Sequence, residues 1–250
     1  MRNLLFTAAF DGKSYHGFQI QNNAHTVQKE LTDALFAVTG EHLTVTGCSR
    51  TDAGVHANEF CFNVKTESKI DTSVFPNALN ANLPFTAAVY SCCEVPADFH
   101  ARYSCTGKQY IYKIYNNPLR NPFFVDRALH YRYYLDAAVL NGEAKAFIGT
   151  HDFSAFCSAG CEVKSKIRSV SEAGVTRDGD VVTFSVTADG FLYNMVRIMV
   201  GTLLGVSEGK IPAGSIPSVI DSLERERAGI TAPPEGLYLN KVYYGRDNYG

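Results

Sequence analysis

The chain has 250 residues, 46% of them hydrophobic and 19% charged, and a net charge of -2. That apolar content suits one large core or two small ones and excludes a disordered chain. No run of about 18 uninterrupted apolar residues occurs, so no segment reads as a membrane-spanning helix. Leu4, Phe6, Ala8 and Phe10 alternate as a strand that ends at Asp11-Gly12, so the first residues read as strand and turn, not as a leader peptide. Val27, Leu31, Ala34, Leu35 and Val38 share one helical face, with Thr26 as N-cap and Gly40 as stop. Strands are predicted at 43–48 and 59–65, a short helix at 73–80, and a strand at 87–95.

The second half repeats this order. A strand is predicted at 108–115, then a helix at 136–148 capped by Asp136 and stopped by Gly149. A hairpin at 168–187 turns on Asp178-Gly179. Helices at 192–206 and 215–227 and a strand at 237–244 complete the chain. Each half thus runs strand-helix-strand-strand-helix-strand, the ferredoxin-like order. The predicted class is α+β. Two ferredoxin-like halves, 1–104 and 105–250, would form one extended, mainly antiparallel sheet with helices on one face and a central cleft, where a site is expected.

Seven cysteines include adjacent Cys92 and Cys93 and the spaced pair Cys157 and Cys161, with no Cys-x-x-Cys. Neither a zinc ribbon nor a disulfide scaffold fits this pattern, which reads as reduced thiols in a cytoplasmic protein. His16, His25 and His151 have no ligand spacing, so no metal site is expected.

A net charge of -2 is mildly unfavourable for a nucleic-acid partner. The charge is unevenly placed, however. Residues 101–135 hold Arg102, Lys108, Lys113, Arg120, Arg127 and Arg132 against Asp126 alone, a net +5 that leaves -7 elsewhere. The same stretch has nine aromatics, including Tyr103, Tyr110, Tyr112, Tyr133 and Tyr134. Cations among aromatic faces suit RNA, where phosphates need charge and unstacked bases need stacking partners. A solvated basic sheet face over an aromatic core would give the same composition.

The most informative stretch is Gly47-Cys48-Ser49-Arg50-Thr51-Asp52-Ala53-Gly54-Val55-His56-Ala57, between two predicted strands. It is a loop with Gly54 at its turn. Arg50, Asp52 and His56 crowd together among small residues that leave room for a substrate.

Arg50 to Ala57, RTDAGVHA, resembles the catalytic loop of the tRNA pseudouridine synthase A family. Phe10-Asp11-Gly12, Tyr15 to Gln19, Asn80 to Pro84, Phe99 to Arg102, Tyr110 to Asn116, His151 to Phe153, Met195 to Gly201 and Thr231 to Leu239 are similar to further segments of that family, in order. The resemblance therefore runs from about residue 5 to 240. It implies that Asp52 is the catalytic carboxylate, that Tyr110 is a catalytic tyrosine that stacks on the target base and can move a proton, and that Arg197 pairs with the aspartate. It further implies that Arg50 helps turn the nucleotide out of its stack and that Leu237 lines the pocket. The implied reaction converts uridine to pseudouridine at positions 38, 39 and 40 of the anticodon arm of tRNA. It needs no cofactor and takes place in a cytoplasmic homodimer. Three positions depart from the pattern. Phe10 stands where tyrosine is usual, Ile20 where arginine is common, and Ser49 where glycine is frequent.

The residue types fit that chemistry independently. An arginine inside an apolar helix, as at Arg197, is costly to bury unpaired and calls for a carboxylate partner. Such a partner keeps an aspartate ionised against desolvation. His56 is open to two readings, an RNA contact or a brace for the loop. His100 and Arg102 read as fold supports or phosphate ligands, and Lys108 as a phosphate ligand. A non-catalytic RNA-binding protein would not need the Arg50-Thr51-Asp52 triplet, and a hydrolase would need a second carboxylate that has no distinct motif here.

Overall fold

A computed structural model describes residues 1–161 and 163–245. In chain order the strands and α-helices are β1 (Arg2–Phe10), α1 (Val27–Thr39), β2 (Thr46–Gly47), β3 (His56–Thr66), α2 (Phe75–Asn80), β4 (Ala87–Val95), β5 (Cys105–Asn116), β6 (Leu129–Tyr131), α3 (Ala137–Ala144), β7 (Gly149–Asp152), β8 (Ile167–Asp178), β9 (Val181–Ala188), α4 (Met195–Ser207), α5 (Ile216–Ser222) and β10 (Leu237–Tyr244). The class is mixed α+β with mostly antiparallel strands. Two compact units divide the described residues, Met1–Thr106 with the chain from Tyr238 on, and Gly107–Leu237.

In the first unit β1 lies between β4 and β3, antiparallel to both, with Phe6 opposite Phe62 and Cys92. β2 pairs with β3, and β10 joins β3 in parallel at Tyr238–His56 and Leu239–Ala57. The core is aromatic. Phe6 stacks on Phe62 at 4.9 Å and meets Phe75 of α2 edge-on at 5.5 Å. Stacking and edge-to-face contacts of this kind add to simple area burial. α1 buries Val27, Leu31, Ala34 and Leu35, the face its spacing predicted, and ends at Gly40, which takes φ 73. Thr26 stands at the N-cap position, yet its hydroxyl makes no capping bond and is buried without a partner. The strand expected at 43–48 shrinks to Thr46–Gly47.

The second unit pairs β5 with β9, β9 with β8, and β8 with β7, all antiparallel, while β6 runs parallel to β5. The β8–β9 hairpin pairs Asp178 with Val181, so its two loop residues are Gly179 and Asp180, one position beyond the expected Asp178-Gly179. Gly179 takes φ 54, as a tight hairpin turn requires. Asp136 caps α3, its carboxylate accepting from the Ala138 and Val139 amides. That helix stops at Ala144, and Lys145–Phe147 tighten into a 3-10 turn. α5 stops at Ser222, short of the expected 227, because Leu223 takes φ 61, which no continuing helix allows. α4 buries Met195, Val196, Ile198, Met199, Val200, Leu203 and Leu204, nearly all of its surface.

Candidate active site

In the first unit, the loop between β2 and β3 carries Arg50 and Asp52 and leads into His56. The Cys48 N–H donates to the Cys61 carbonyl at 2.8 Å, which prolongs the β2–β3 ladder by one residue. The Val55 N–H donates to the Asp52 carbonyl at 3.2 Å and closes a turn whose third residue, Gly54, has φ 78. Glycine takes that conformation without steric cost. The Asp11–Phe18 segment lies directly on this loop. The Phe18 N–H donates to the Thr51 carbonyl at 3.1 Å, and the Gly54 N–H to that of Tyr15 at 3.4 Å. A Cβ on Gly12 would stand 2.1 Å from the Val55 oxygen, and one on Gly17 2.7 Å from the Thr51 oxygen. Two glycines thus bring two backbones into contact. The result leaves Thr51 and Val55 buried, Asp52 half-buried and Arg50 exposed.

His56 is 2% exposed. Its Nδ1 lies 3.1 Å from the Gly12 amide nitrogen and 3.3 Å from Asp11 Oδ1. The one ring nitrogen thus faces both the Gly12 N–H and the Asp11 carboxylate. The ring stacks on Tyr238 at 4.5 Å and 17°. These contacts tie the end of the loop to the Asp11–Gly12 turn and to β10. Arg102 is exposed, its guanidinium 5.8 Å from the Tyr103 ring. The turn that presents it is built by His100, whose Nδ1 accepts from the Arg102 amide at 3.1 Å.

In the second unit, Lys108, Tyr110 and Tyr112 alternate along one face of β5. Lys108 is half-buried, and Tyr110 is buried with its ring edge-on to Phe191 at 4.9 Å. Tyr112 is fully buried, and its hydroxyl donates to the Pro233 carbonyl at 2.8 Å. Burial, with Glu235 nearby, pushes its phenol far above the usual range. Arg197, one turn into α4, is half-buried. Its Nε donates to the Ala232 carbonyl at 2.6 Å and its Nη1 to Asn194 Oδ1 at 2.8 Å, while the Ala232 amide donates back to the Arg197 carbonyl at 3.1 Å. α4 approaches the 228–232 segment so closely that a Cβ on Gly201 would stand 1.8 Å from the Ile230 oxygen. Leu237 is buried, just after the turn Pro234–Gly236.

The basic-aromatic stretch separates into two populations. Tyr110, Tyr112 and Tyr115 of β5 are buried, whereas Tyr103, Phe123, Tyr133 and Tyr134 are 65% exposed or more, beside exposed Arg102, Arg120, Arg127 and Arg132. The segment therefore divides into a buried aromatic set on β5 and an exposed aromatic set among arginines. Sequence reasoning did not single out Asn194, Ala232, Gly12 or Gly17 as supports of the site. The two glycines left a signal, since they flank Tyr15 in the segment that faces a loop of small residues. Among the described residues no three His, Cys, Asp or Glu side chains gather closely enough to hold a metal ion, and no helix is long and apolar enough to cross a membrane.

A half-buried carboxylate on a pinned loop, within a mostly antiparallel α+β framework, is an enzyme-like arrangement. The family model described as tRNA pseudouridine synthase matches residues 7–104 and 144–245. Curated relatives named tRNA pseudouridine synthase A are similar over nearly the whole chain. Those of Acetivibrio thermocellus and Caldicellulosiruptor saccharolyticus are 46% and 45% identical over 244 residues, which is 98% of this chain and 100% of theirs. That of Ruminiclostridium cellulolyticum is 44% identical over 245 residues, with the same coverage. The chain belongs to the tRNA pseudouridine synthase family. It is an isomerase that acts on tRNA.

Proposed function

We propose that this enzyme converts uridine to pseudouridine at positions 38, 39 and 40 in the anticodon stem-loop of tRNA, with Asp52 as its catalytic carboxylate and no cofactor. The reaction breaks the bond from uracil N1 to ribose C1′ and makes one from C5 to C1′. C5 loses a proton and N1 gains one, so the atoms and the oxidation level of the base are unchanged. An ionised carboxylate serves it in one of three ways, by attack on C6, by attack on C1′, or by removal of a sugar proton.

The observation that carries this reading is the pinned Arg50-Thr51-Asp52 turn. Backbone contacts to Tyr15, Gly17 and Phe18 hold the carboxylate-bearing residue half-buried while Arg50 next to it stays exposed. A fixed carboxylate loses little freedom on the way to a transition state. Arg50, with its exposed guanidinium, is assigned to the flipped nucleotide, whose unstacking costs a few kcal/mol. Tyr110 is assigned to stacking on the target base, which offsets about 1–3 kcal/mol of that cost. Arg197 is assigned to keeping the catalytic carboxylate charged, and Leu237 to the apolar wall around the base. The burial and stacking of His56 favour bracing the loop over touching RNA. Arg102 and Lys108 are assigned to phosphate.

In the first unit β1 lies between β4 and β3, and β3 pairs in addition with the short β2 and with β10; the β4-β1-β3-β2 part of this arrangement supports a ferredoxin-like first half. Two such halves, 1–104 and 105–250, about an RNA-binding cleft, and a cytoplasmic homodimer, complete the proposal. The direct test is to incubate the pure protein with prefolded, unmodified tRNA in excess chelator and to map pseudouridine. Pseudouridine at 38, 39 or 40 is expected. Its appearance only elsewhere would overturn the assignment of position, and a strict need for an added metal would overturn the cofactor-free chemistry.

A further inference from the structure

Residues 229–233 belong to no helix or strand, so no ladder fixes their path. Side chains fix it instead. Arg225, in the 3-10 turn Arg225–Arg227 after α5, reaches forward along its own chain. Its Nη1 donates to the Gly229 carbonyl at 2.8 Å and to the Ala228 carbonyl at 3.4 Å, and its Nη2 to the Thr231 hydroxyl at 3.2 Å. Thr202 of α4 is fully buried and holds the same stretch. Its hydroxyl donates to the Ile198 carbonyl at 2.8 Å and accepts from the Gly229 N–H at 2.9 Å. The backbones touch here as well, since a Cβ on Gly229 would stand 2.3 Å from the Gly201 oxygen. All of these residues lie in the second unit.

The stretch so held carries the partners of two side chains of the candidate site. Ala232 exchanges hydrogen bonds with Arg197, accepting from its Nε at 2.6 Å and donating its N–H to the Arg197 carbonyl at 3.1 Å. The next carbonyl, that of Pro233, accepts from the Tyr112 hydroxyl at 2.8 Å. We propose that Arg225 is a positioning residue for the isomerisation, acting through the 228–232 segment to hold the Arg197 guanidinium in place. The proposal rests on the assignment of Arg197 to the catalytic carboxylate.

An arginine suits this task because its planar fork meets two carbonyls and a hydroxyl at once, with charge-assisted bonds. Without it, Gly229 and Thr231 each lose a bond, and the Ala232 oxygen that aims Arg197 is free to shift with them. A displacement of about 1 Å at a catalytic group can cost about 100-fold in rate. A brace that served only the fold would lower stability and leave the rate of the folded enzyme alone. Arg225 therefore reveals itself in the rate, and only while Arg197 is present to transmit its effect.

The test measures single-turnover pseudouridine formation on prefolded tRNA, with the full chain in saturating excess and well below the melting temperature of every variant. Four proteins are compared: the unaltered enzyme, Arg225→Gln, Arg197→Lys and the double variant. Arg225→Gln should slow the step by about tenfold or more while tRNA affinity stays within about twofold. The acid limb of its rate should move to higher pH, because a misplaced cation favours the carboxylate anion less. In the Arg197→Lys background the same change should cost less than about twofold. Thr202→Val, which removes the other holder of Gly229, should slow the step in the same direction. An Arg225→Gln rate within about twofold of the unaltered enzyme would overturn the proposal. So would a loss repeated in full in the Arg197→Lys background, which would mean that Arg225 acts independently of Arg197. Arg197→Lys with the rate and pH profile of the unaltered enzyme would overturn the assignment of Arg197, and the proposal with it.

Discussion

The Asp52 loop and the Arg197 helix fix a charged side chain by opposite means. Around Asp52 the work is done by backbone amides and by the missing side chains of Gly12 and Gly17. Around Arg197 it is done by the side chain itself, which spans Ala232 and Asn194. In the first region, then, the path of the loop resides in main-chain geometry, and those backbone contacts remain when the Asp52 side chain is changed. In the second, orientation and stability share the same hydrogen bonds.

The largest effect expected from this difference is on stability at the glycines. Gly12→Ala and Gly17→Ala should each cost about 3 kcal/mol, the upper range for overpacking, because the obstructing atoms are backbone and cannot swing aside. Urea denaturation measures this. A loss under about 1 kcal/mol would show that the two backbones are not interlocked. Gly201→Ala should be equally severe, since its Cβ would meet the Ile230 carbonyl.

Arg197→Met comes next. It strips donors from the Ala232 oxygen and Asn194 Oδ1, at a cost of about 1–3 kcal/mol in stability. Turnover should fall severely while tRNA affinity changes little. Arg197→Lys should recover only part of both, because an ammonium cannot reproduce the planar two-point fork. Equal stability in all three proteins would mean that these hydrogen bonds are incidental.

A smaller effect concerns phosphate contacts. Arg102→Ala and Lys108→Ala should each lower the salt dependence of tRNA binding by about one unit of slope. The first residue lies in one unit and the second in the other. A change in one variant alone would confine the RNA to that unit, and no change in either would place it elsewhere.

The smallest is a pH effect near the loop's support. His25 Nε2 lies 2.5 Å from Glu30 Oε1, and that hydrogen bond, more than any other cause, raises the His25 pKa. A raised folded pKa means stability that is fully present below the ordinary histidine range and lost as pH rises through the folded value. His25 is about half exposed, so Glu30→Gln should cost at most about 0.5 kcal/mol. The cost should be present near pH 5.5 and absent at alkaline pH. A cost that grows with pH would contradict the pairing.

Much of this was legible in the sequence where a strong period met a clear stop. The span 27–39 shows both, with Gly40 ending the helix. The four-residue β7 and three-residue β6 are too short to show a period, and neither was foreseen. The helix 192–206 begins three residues late because Asn194 sits at φ 60, a conformation that no propensity announces. At the candidate site, residue types and spacing drew attention to Arg50, Asp52 and His56. Burial was not legible, and it is burial and the Tyr238 stack that set His56 apart from its exposed neighbour Arg50. For Arg197 the cost of an unpaired buried cation argued for a carboxylate partner, whereas the hydrogen bonds of its side chain include neutral partners. Two of them are the neutral oxygens of Ala232 and Asn194, which lie 35 residues onward and 3 residues back and obey no pattern.

The central claim is that Asp52 performs chemistry rather than holding RNA or the loop. Asp52→Asn keeps the shape of the side chain and leaves the backbone contacts of the turn in place. An amide is a far poorer nucleophile and base than a carboxylate. Most affinity for tRNA should come from phosphate contacts and stacking. The decisive measurement pairs a tRNA binding titration with a pseudouridine assay on the same Asp52→Asn preparation. The expected result is affinity equal to or slightly above that of the unaltered enzyme, with turnover below detection. Retained turnover would remove Asp52 from the mechanism, and binding lost together with turnover would make the loop structural.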